Sequence, residues 1–283
     1  HEKKESPFVE KLIQEMQLRN YSPRSVRTYS GLLSKIECDL AISLDAISIV
    51  QFKDYLHRRI INEKISVPLI NQSISAFKIL QVDVLGREWE QFKIRRPRRE
   101  KKLPVVLSIG EVEKLIAVTQ NIKHRALLAL AYSAGLRRQE TQQIKPLDID
   151  SARMQVRVVQ GKGKKDRHSI LSPKALDLLR TYYKIERPKT FLFESQGKKG
   201  VKLADTTLNA IVKKSAAKAG IKKRVSFHTL RHCFATHLLE KGVSLRIIQE
   251  FMGHVSLKTT AVYLHLVNVQ PSGVSSPLDS MDI

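Results

Sequence analysis

The chain of 283 residues contains only two cysteines, Cys38 and Cys233, and neither belongs to a CxxC pair. This scarcity argues against a zinc site built from paired cysteines and against a disulfide-stapled scaffold. No apolar run approaches the roughly 20 residues that cross a membrane. The charged opening, residues 1–5, also lacks the apolar core of a signal peptide. We therefore expect a protein of the reducing cytoplasm with no membrane partner.

The sequence also lacks the common signatures of metal and nucleotide enzymes. It contains no HExxH, no P-loop and no GxGxxG motif, so the zinc-protease, NTPase and dinucleotide-dependent classes have no support. A lone DxD motif, Asp148-Ile149-Asp150, could suggest a metal site, but its alternating pattern fits a turn that leads into a strand. We expect neither a metal nor an organic cofactor.

Acidic residues are also scarce relative to basic ones. The chain has 50 Lys and Arg against 27 Asp and Glu, which gives a formal net charge of +23 and a pI near 10.1. This excess predicts a polyanionic partner, because each neutralised phosphate releases counterions; a ribosomal-type or simply basic protein is the alternative. The hydrophobic content of 42% is enough for buried cores, and the length suggests two domains.

Helical periodicity dominates residues 1–92, which we expect to form a helical DNA-binding domain. The predicted helices begin near Ser6, Ser22, Ser48 and Val67. The first two starts combine a capping serine with proline at the first helical position. Arg24 and Arg27 lie away from the apolar side of the second helix and are candidate DNA contacts. A plain bundle with a solvated face explains the same pattern.

Residues 93–106 show no helical or strand period and are the expected linker between two domains. Pro97 and Pro104 disfavour both helix and central strand, and the like charges keep the segment extended. Its arginines are candidate contacts to a phosphate backbone, namely Arg95, Arg96, Arg98 and Arg99. A role in solubility or nuclear localisation is the alternative.

Residues 107–283 are expected to form a second domain, mainly helical with a small β-sheet, that ends in a tail. A capping box at Ser108-Ile109-Gly110-Glu111 begins it, and the apolar stretch from Ala126 to Ser133 ends at a glycine stop. Two strands, Met154 to Val159 and His168 to Leu171, flank a predicted hairpin tip. Later helices are predicted at residues 173–184, 204–219, 227–241 and 245–252, followed by one that carries Tyr263.

Two arginines are candidate ligands of a phosphate. His228 and Arg231 lie three residues apart near a helix N-terminus, so their side chains share a face where an anion is favoured. Arg137 directly follows the buried helix, where Glu140 could orient it. Since a guanidinium donates two hydrogen bonds in one plane, Arg137 and Arg231 could together bind the nonbridging oxygens of a transition state. Taken singly, each motif is more often a surface pair or a core residue.

Lys162 lies between two glycines at the predicted hairpin tip, which would let the backbone approach DNA closely. Its ammonium could protonate a leaving 5′ oxygen. Lys164 and Lys165 compete for that role and are candidate DNA contacts. A basic hairpin that makes only phosphate contacts is the alternative.

Tyr263 is the candidate nucleophile. A phenol has a pKa of about 10, so it needs a base or surrounding cations to attack at neutral pH. His228 is the preferred base and His254 the preferred hydrogen-bond donor to the phosphate, but the sequence leaves these two roles open. His232 and His237 are better candidates for a structural role. A covalent phosphotyrosine would store the bond energy without ATP or Mg²⁺.

The order of these residues resembles the tyrosine recombinase/integrase family, and the resemblance covers most of the chain. Residues 21–29 are similar to its core-binding domain, and Leu107 onward is similar to its catalytic domain. The motifs are Gly135-Leu136-Arg137-x-x-Glu140, Gly161-Lys162-Gly163, His228-x-Leu230-Arg231-His232-x-Phe234-Ala235-Thr236, Met252-Gly253-His254 (with leucine commoner at the first place) and Thr259-Thr260-x-x-Tyr263.

The resemblance implies a SAM-like helical core-binding domain and a mixed α/β catalytic domain that form a C-shaped clamp on DNA. It gives catalytic roles to Arg137, Lys162, His228, Arg231, His254 and Tyr263. It also implies a homo-tetramer on double-stranded DNA with paired inverted sites, a 3′-phosphotyrosyl intermediate and a Holliday junction. The tail from Val267 to Ile283 would dock on a neighbouring protomer, with a frayed terminus as the alternative.

Subfamily features are mixed. The segment from Arg96 to Leu107 and the tail from Gly273 to Asp279 are similar to integron integrases. Those enzymes carry an extra segment between the lysine and the HxxR motif, whereas Lys162 and His228 are 66 residues apart, as in Xer recombinases. We expect a mobile-element recombinase acting on duplex sites, with Xer-type chromosome-dimer resolution as the alternative. A type IB topoisomerase-like enzyme and an inactive DNA-binding relative are the other classes considered.

Overall fold

The computed structural model describes residues 6–89, 94–97, 103–159 and 166–266. The chain divides into two compact units after Lys101, here called the N-terminal unit and the C-terminal unit. Across the four described ranges, none of the helices combines the length and the apolar composition needed to cross a bilayer.

The described part of the N-terminal unit is a helical bundle. Its helices are α1 (Pro7–Leu18), α2 (Pro23–Leu40), α3 (Ile49–Glu63) and α4 (Val67–Ile79), and α4 continues as a π-helical turn over Leu80–Val84. These bounds confirm the four predicted helices. Side-chain caps explain why they begin there, since Ser22 accepts a hydrogen bond from the Ser25 N–H at 3.1 Å and Ser48 forms a capping box with Gln51.

The core of this unit is apolar and aromatic. Leu12 and Met16 of α1 are fully buried, and the rings of Phe52 and Phe77 stack with centroids 4.0 Å apart. Burial of such large side chains supplies most of the driving force for folding. The unit therefore has a core of its own.

The described part of the C-terminal unit mixes helices with short strands. Its elements are α5 (Ile109–Ala117), α6 (Ile122–Ser133), α7 (Arg138–Gln143), a 3₁₀ turn (Pro146–Asp148), β1 (Ile149–Asp150), β2 (Gln155–Val158), β3 (Arg167–Ile170), α8 (Pro173–Glu186), β4 (Glu194–Ser195), β5 (Lys198–Lys202), α9 (Asp205–Lys218), α10 (Phe227–Glu240), α11 (Leu245–Met252), α12 (Leu257–Thr260) and a second 3₁₀ turn (Ala261–His265). Strands β1, β2 and β3 form an antiparallel sheet in that order, and β4 pairs with β5.

Helix α6 lies at the centre of this unit. Leu127, Leu128 and Leu130 are fully buried, and the helix packs against both α8 and α10. The first residues of the unit are fixed to α10 as well, because the Leu107 N–H donates to the Cys233 Sγ at 3.2 Å and its carbonyl accepts from His237 Nε2 at 2.9 Å. This confirms the structural role expected of His237.

Several details differ from the predictions. Helix α6 begins at Ile122, because the Asn121 side chain caps it, although its first turn is too polar to show in the apolar pattern. The β4–β5 hairpin was not expected, since every residue of β5 is exposed and shows no alternation. Tyr263 lies on a 3₁₀ turn rather than on a regular helix.

The remaining predictions concern the linker, the DxD motif and the hairpin tip. The described parts of the predicted linker, residues 94–97 and 103–106, form neither helix nor strand. The carboxylates of Asp148 and Asp150 accept hydrogen bonds from nearby backbone N–H groups, which confirms a turn leading into a strand. The predicted hairpin tip with Lys162 lies outside the described residues.

Candidate active site

The site is built around the junction of α6 and α7. Gly135 ends α6 with a φ of +58°, and a Cβ there would lie 2.3 Å from the Phe234 ring, so the close approach of α10 requires glycine. Arg137 follows in extended conformation and begins α7. Its N–H and its Nη1 donate to the two carboxylate oxygens of Glu140, each at 2.7 Å. Glu140 therefore orients Arg137 as expected.

Glu140 also holds a second arginine. Nη1 and Nη2 of Arg167 donate to the two Glu140 oxygens, each at 2.8 Å, which is a bidentate pair. Nη1 of Arg231 lies 3.8 Å from the same carboxylate. Burial alone would raise the pKa of Glu140, but the bonds from Arg167 and from the Arg137 backbone hold this pKa below its ordinary value. The carboxylate is therefore ionised and serves three guanidinium groups.

The same three arginines bind the C-terminus of α11. Arg167 donates from Nε to the Phe251 carbonyl at 2.8 Å, Arg231 donates from Nη2 to the Met252 carbonyl, and Arg137 donates from Nη2 to the Gly253 carbonyl at 3.0 Å. The last carbonyls of a helix lack partners within the helix and carry partial negative charge. The arginines therefore fix the end of α11 and, with it, the position of the next residue, His254.

Gly253 fits this arrangement for two reasons. Its φ of +58° ends the helix in a left-handed conformation. A Cβ at this position would also lie 2.6 Å from the Cδ of Arg167. Glycine is thus needed both for the turn and for the approach of Arg167.

Arg231 is the most enclosed of the three arginines, with 1% of its surface exposed. It donates from Nη1 to the Gly135 carbonyl at 2.5 Å. Burial lowers its pKa, and the neighbouring Arg137 lowers it further, whereas Glu140 raises it. Among the residues that the structure describes, the three guanidinium groups of Arg137, Arg167 and Arg231 thus have one nearby carboxylate, that of Glu140. The site therefore carries a surplus of positive charge, which favours binding of an anionic group.

His254 is fixed by a buried hydroxyl. Its Nδ1 lies 2.9 Å from the Oγ1 of Thr260, which is fully buried. The hydroxyl hydrogen needs an acceptor, and Nδ1 is the partner within reach in the described ranges. This assigns the ring proton to Nε2. Burial, followed by Arg231 and Arg137, lowers the pKa of His254 to about 3, so the ring is a neutral donor through Nε2.

Tyr263 lies beside two histidine rings and is 4% exposed. Its hydroxyl is 3.1 Å from Nδ1 of His232, and its ring is parallel to that of His254, with centroids 6.5 Å apart. Burial raises the pKa of Tyr263, while the charges of Arg231 and Arg137 act in the opposite direction. The phenol is therefore protonated at neutral pH and lies within the field of the arginines.

The structure thus brings together four of the residues that the sequence singled out, namely Arg137, Arg231, His254 and Tyr263. His228 is exposed on the first turn of α10, and its ring meets the edge of the His232 ring with centroids 4.8 Å apart. Lys162, Lys164 and Lys165 lie outside the described residues.

The candidate DNA contacts of the N-terminal unit are placed separately. Arg24 and Arg27 are exposed on α2, and Arg95 is exposed as well. Arg96 is held on α4 by hydrogen bonds to the Asn71 carbonyl and the Ser75 hydroxyl, each at 3.0 Å. Arg98 and Arg99 lie outside the described residues.

Comparison with known families agrees with this geometry. Residues 106–269 match the model of the phage integrase family, and residues 8–91 match the phage integrase N-terminal SAM-like domain. The chain belongs to the tyrosine recombinase/integrase family. The two matches fall in the C-terminal and the N-terminal unit respectively, as expected for a recombinase with a SAM-like domain and a catalytic domain.

Individual recombinases extend the comparison. A Sinorhizobium fredii protein named as an integrase/recombinase is 35% identical over 275 residues, covering 97% of this chain and 89% of the relative. The tyrosine recombinase XerA of Pyrococcus horikoshii is 33% identical over 260 residues, covering 91% and 88%. The structure of a lambda integrase tetramer bound to a Holliday junction shares the fold, with a TM-score of 0.73 at 18% identity over 90% of this chain and 76% of that one.

Three contributors to this recombinase site were not expected from the sequence. The predicted strand began at His168 and so left out Arg167. Arg167 lies two residues from the buried Ser169 and therefore shares the inward face of β3. His232 was assigned a structural role, although it lies one helical turn after His228. Thr260 was recognised as part of a motif but not as a partner of His254.

Proposed function

We propose that this chain is a site-specific DNA recombinase that cleaves and rejoins duplex DNA through a covalent bond between Tyr263 and a 3′ phosphate. The observation that carries the proposal is the buried surplus of guanidinium charge beside a protonated phenol. Arg137 and Arg231 both lower the pKa of Tyr263 against the effect of burial. An anionic phosphodiester placed there would neutralise the arginines and face the nucleophile at the same time.

The chemistry follows from the hydrogen-bonding capacity that remains. Arg137 and Arg231 each keep N–H groups beyond those bound to protein oxygens, and these would bind the nonbridging oxygens of the phosphate. His254 would donate from Nε2 to the same group. The Tyr263 oxygen would attack phosphorus, and the bond to the 5′ oxygen would break as Lys162 protonates that oxygen. The proton of Tyr263 would pass to a histidine of α10.

Rejoining is the reverse reaction with a different strand end. A 5′ hydroxyl attacks the phosphotyrosine, and Tyr263 leaves. Because the phosphotyrosine conserves the energy of the phosphodiester bond, the cycle needs no nucleotide cofactor. Exchange between two duplexes then passes through a Holliday junction, and the solved lambda integrase tetramer on such a junction supports this step.

The assembly we propose is a homo-tetramer on paired inverted sites. Residues 1–92 would be the core-binding domain and 93–106 the linker. Their proposed contacts to the phosphate backbone are Arg24, Arg27, Arg95, Arg96, Arg98 and Arg99. Residues 107–283 would be the catalytic domain, with Lys164 and Lys165 as further phosphate contacts. The tail from Val267 to Ile283, which lies outside the described residues, would dock on the next protomer.

The biological role we propose is that of a mobile-element integrase. The similarity to a protein named integrase/recombinase supports it. Xer-type resolution of chromosome dimers is the second candidate, and the similarity to XerA supports that role. The two roles differ in where the sites lie, on an element or once per chromosome.

The test is to capture protein-linked DNA ends. Wild type, Tyr263→Phe and the control Tyr183→Phe, whose ring is exposed on α8, are incubated with sheared host DNA without metal or ATP and then denatured. We expect 3′-linked adducts from wild type and Tyr183→Phe, and none from Tyr263→Phe despite retained DNA affinity. Adducts clustered at paired inverted motifs support the recombinase, and scattered adducts would favour a topoisomerase. Adducts that persist in Tyr263→Phe would refute the assigned nucleophile.

A further inference from the structure

The hydroxyl of Tyr263 is bonded to a histidine other than the expected one. In the described ranges its partner is Nδ1 of His232 at 3.1 Å, with ring centroids 5.7 Å apart. His228 contacts the His232 ring edge-on and makes no such bond to Tyr263 there. The atom that must lose a proton during attack therefore already touches one imidazole nitrogen.

The protonation states of this pair are complementary. Burial lowers the pKa of His232 to about 4, and His228 and Arg231 add to that effect. Burial raises the pKa of Tyr263. Both groups are therefore neutral at neutral pH. In the tautomer whose ring proton lies on Nε2, the phenol donates its hydrogen to an unprotonated Nδ1. A neutral imidazole with a free lone pair on the hydroxyl is the starting state that general base catalysis requires.

We propose that His232 is a catalytic residue that accepts the proton of Tyr263 through Nδ1; this rests on the proposed recombinase function. The Oη–phosphorus bond forms while the bond from phosphorus to the 5′ oxygen breaks. The phenolic proton moves to Nδ1 and leaves His232 as an imidazolium, and Lys162 supplies a proton to the 5′ oxygen. On rejoining, the 5′ hydroxyl attacks, and His232 returns the proton to the departing Tyr263.

The bound phosphate makes this transfer favourable. Without DNA, burial and then the charges of His228 and Arg231 oppose protonation of His232. A phosphodiester bound beside Arg231 would add a negative charge that favours the imidazolium, so the basicity of His232 rises when substrate arrives. Binding therefore couples to activation of the nucleophile, and His232 takes the role that the sequence suggested for His228.

The first experiment needs no DNA. Nitrogen NMR of the full chain labelled with ¹⁵N-histidine reports which ring nitrogen of His232 carries the proton, with the signal assigned by its loss in His232→Asn. We expect an unprotonated Nδ1 whose shift moves in Tyr263→Phe, because the phenolic donor is lost. A protonated Nδ1, or a shift unaffected by Tyr263→Phe, would overturn the pairing.

The second experiment measures the rate of adduct formation on sheared host DNA between pH 5 and 9. His232→Asn keeps a hydrogen-bond acceptor near the Nδ1 position but cannot take up a proton. We expect its rate at pH 7 to fall by about 10²–10⁴-fold and then to rise with pH, because hydroxide must remove the proton. His57→Asn, at an exposed position of α3, is the matched control and should keep the pH profile of wild type.

The outcomes separate the two proposals. Adducts that survive Tyr263→Phe would refute Tyr263 as the nucleophile, and a wild type that forms none would argue against the recombinase function. In both cases the NMR result still judges the His232–Tyr263 pair. A different outcome would overturn only the role of His232. In that case adducts require Tyr263, but His232→Asn forms them at the wild-type rate and with the wild-type pH profile. Thermal melting of each variant shows whether a lost rate reflects a lost fold.

Discussion

Each unit of this recombinase buries an arginine, but the two arginines differ in what neutralises them. Arg59 in the N-terminal unit is 6% exposed and donates to both oxygens of Glu63, at 2.8 to 3.1 Å, and to the hydroxyl of Tyr55 at 3.2 Å. That hydroxyl donates in turn to Asp39, which also pairs with Lys35 at 3.4 Å. Two cations therefore meet two carboxylates.

Among the residues that the structure describes, Arg231 in the C-terminal unit has no carboxylate of its own. Its donors go to the carbonyls of Gly135 and Met252, and the nearby carboxylate of Glu140 is already bonded to Arg137 and Arg167. The pKa values follow this difference, since the bond to Glu63 raises the pKa of Arg59 while burial lowers that of Arg231.

This difference separates a structural ion pair from a binding site. Burial of a charge is costly unless a partner compensates it, and α3 supplies the partner of Arg59 one helical turn away. The arginines around Arg231 remain under-compensated until an anion arrives. Burial alone would rank Arg59 and Arg231 together, whereas the local balance of charge distinguishes the two clusters and supports the proposed phosphate site around Arg231.

Removing the central carboxylate should have the largest effect. In Glu140→Gln, three guanidinium groups lose their counter-charge, and we expect the free energy of unfolding in urea to fall by about 3–5 kcal/mol. Glu63→Gln is the matched control, because Glu63 is half exposed, so water screens its ion pair with Arg59. Arg59 also keeps its bond to the Tyr55 hydroxyl beside Asp39. Equal losses in the two variants would mean that the two clusters do not differ in the way described.

Replacing each buried arginine by lysine keeps the positive charge but changes its shape, which tests the difference between Arg231 and Arg59. Arg231→Lys should slow formation of DNA adducts on the order of 10²–10³-fold, since an ammonium cannot reach Gly135, Met252 and a phosphate in one plane. Arg59→Lys should leave the adduct rate unchanged, because Arg59 is buried in the N-terminal unit and already paired with Glu63. A slow Arg59→Lys variant that remains folded would contradict the assignment of catalysis to the C-terminal unit.

Local patterns predicted the helices better than they predicted the site. The starts of α2, α3 and α5 follow from the serines Ser22, Ser48 and Ser108, whose caps lie within three residues of the groups that they bind. The spacing of His228 and Arg231 likewise placed them on one helix. These features depend on neighbours in the chain, so a one-dimensional pattern contains them.

The contacts that make the site depend on distant parts of the chain. Arg167 bonds to the Phe251 carbonyl across 84 residues, and Arg137 bonds to Gly253 across 116. The rotation of α10 about its axis, which turns His232 rather than His228 toward Tyr263, is set by packing against other elements. Sequence spacing alone does not contain that rotation, so it could not show which of the two histidines of α10 lies beside the Tyr263 hydroxyl.

The smallest predicted effect concerns the hydrogen bond between the Thr260 hydroxyl and Nδ1 of His254. Thr260→Val keeps the volume of the side chain but removes the donor to Nδ1, so the ring can carry its proton on either nitrogen. We expect unfolding to become easier by about 1 kcal/mol, the usual net value of one hydrogen bond, and adduct formation to slow about tenfold. Thr260→Ser should restore both values, and Thr259→Val, at the exposed neighbouring position, should change neither. If Thr260→Val lost stability but not rate, the hydroxyl would matter for packing and not for the donor that faces the phosphate.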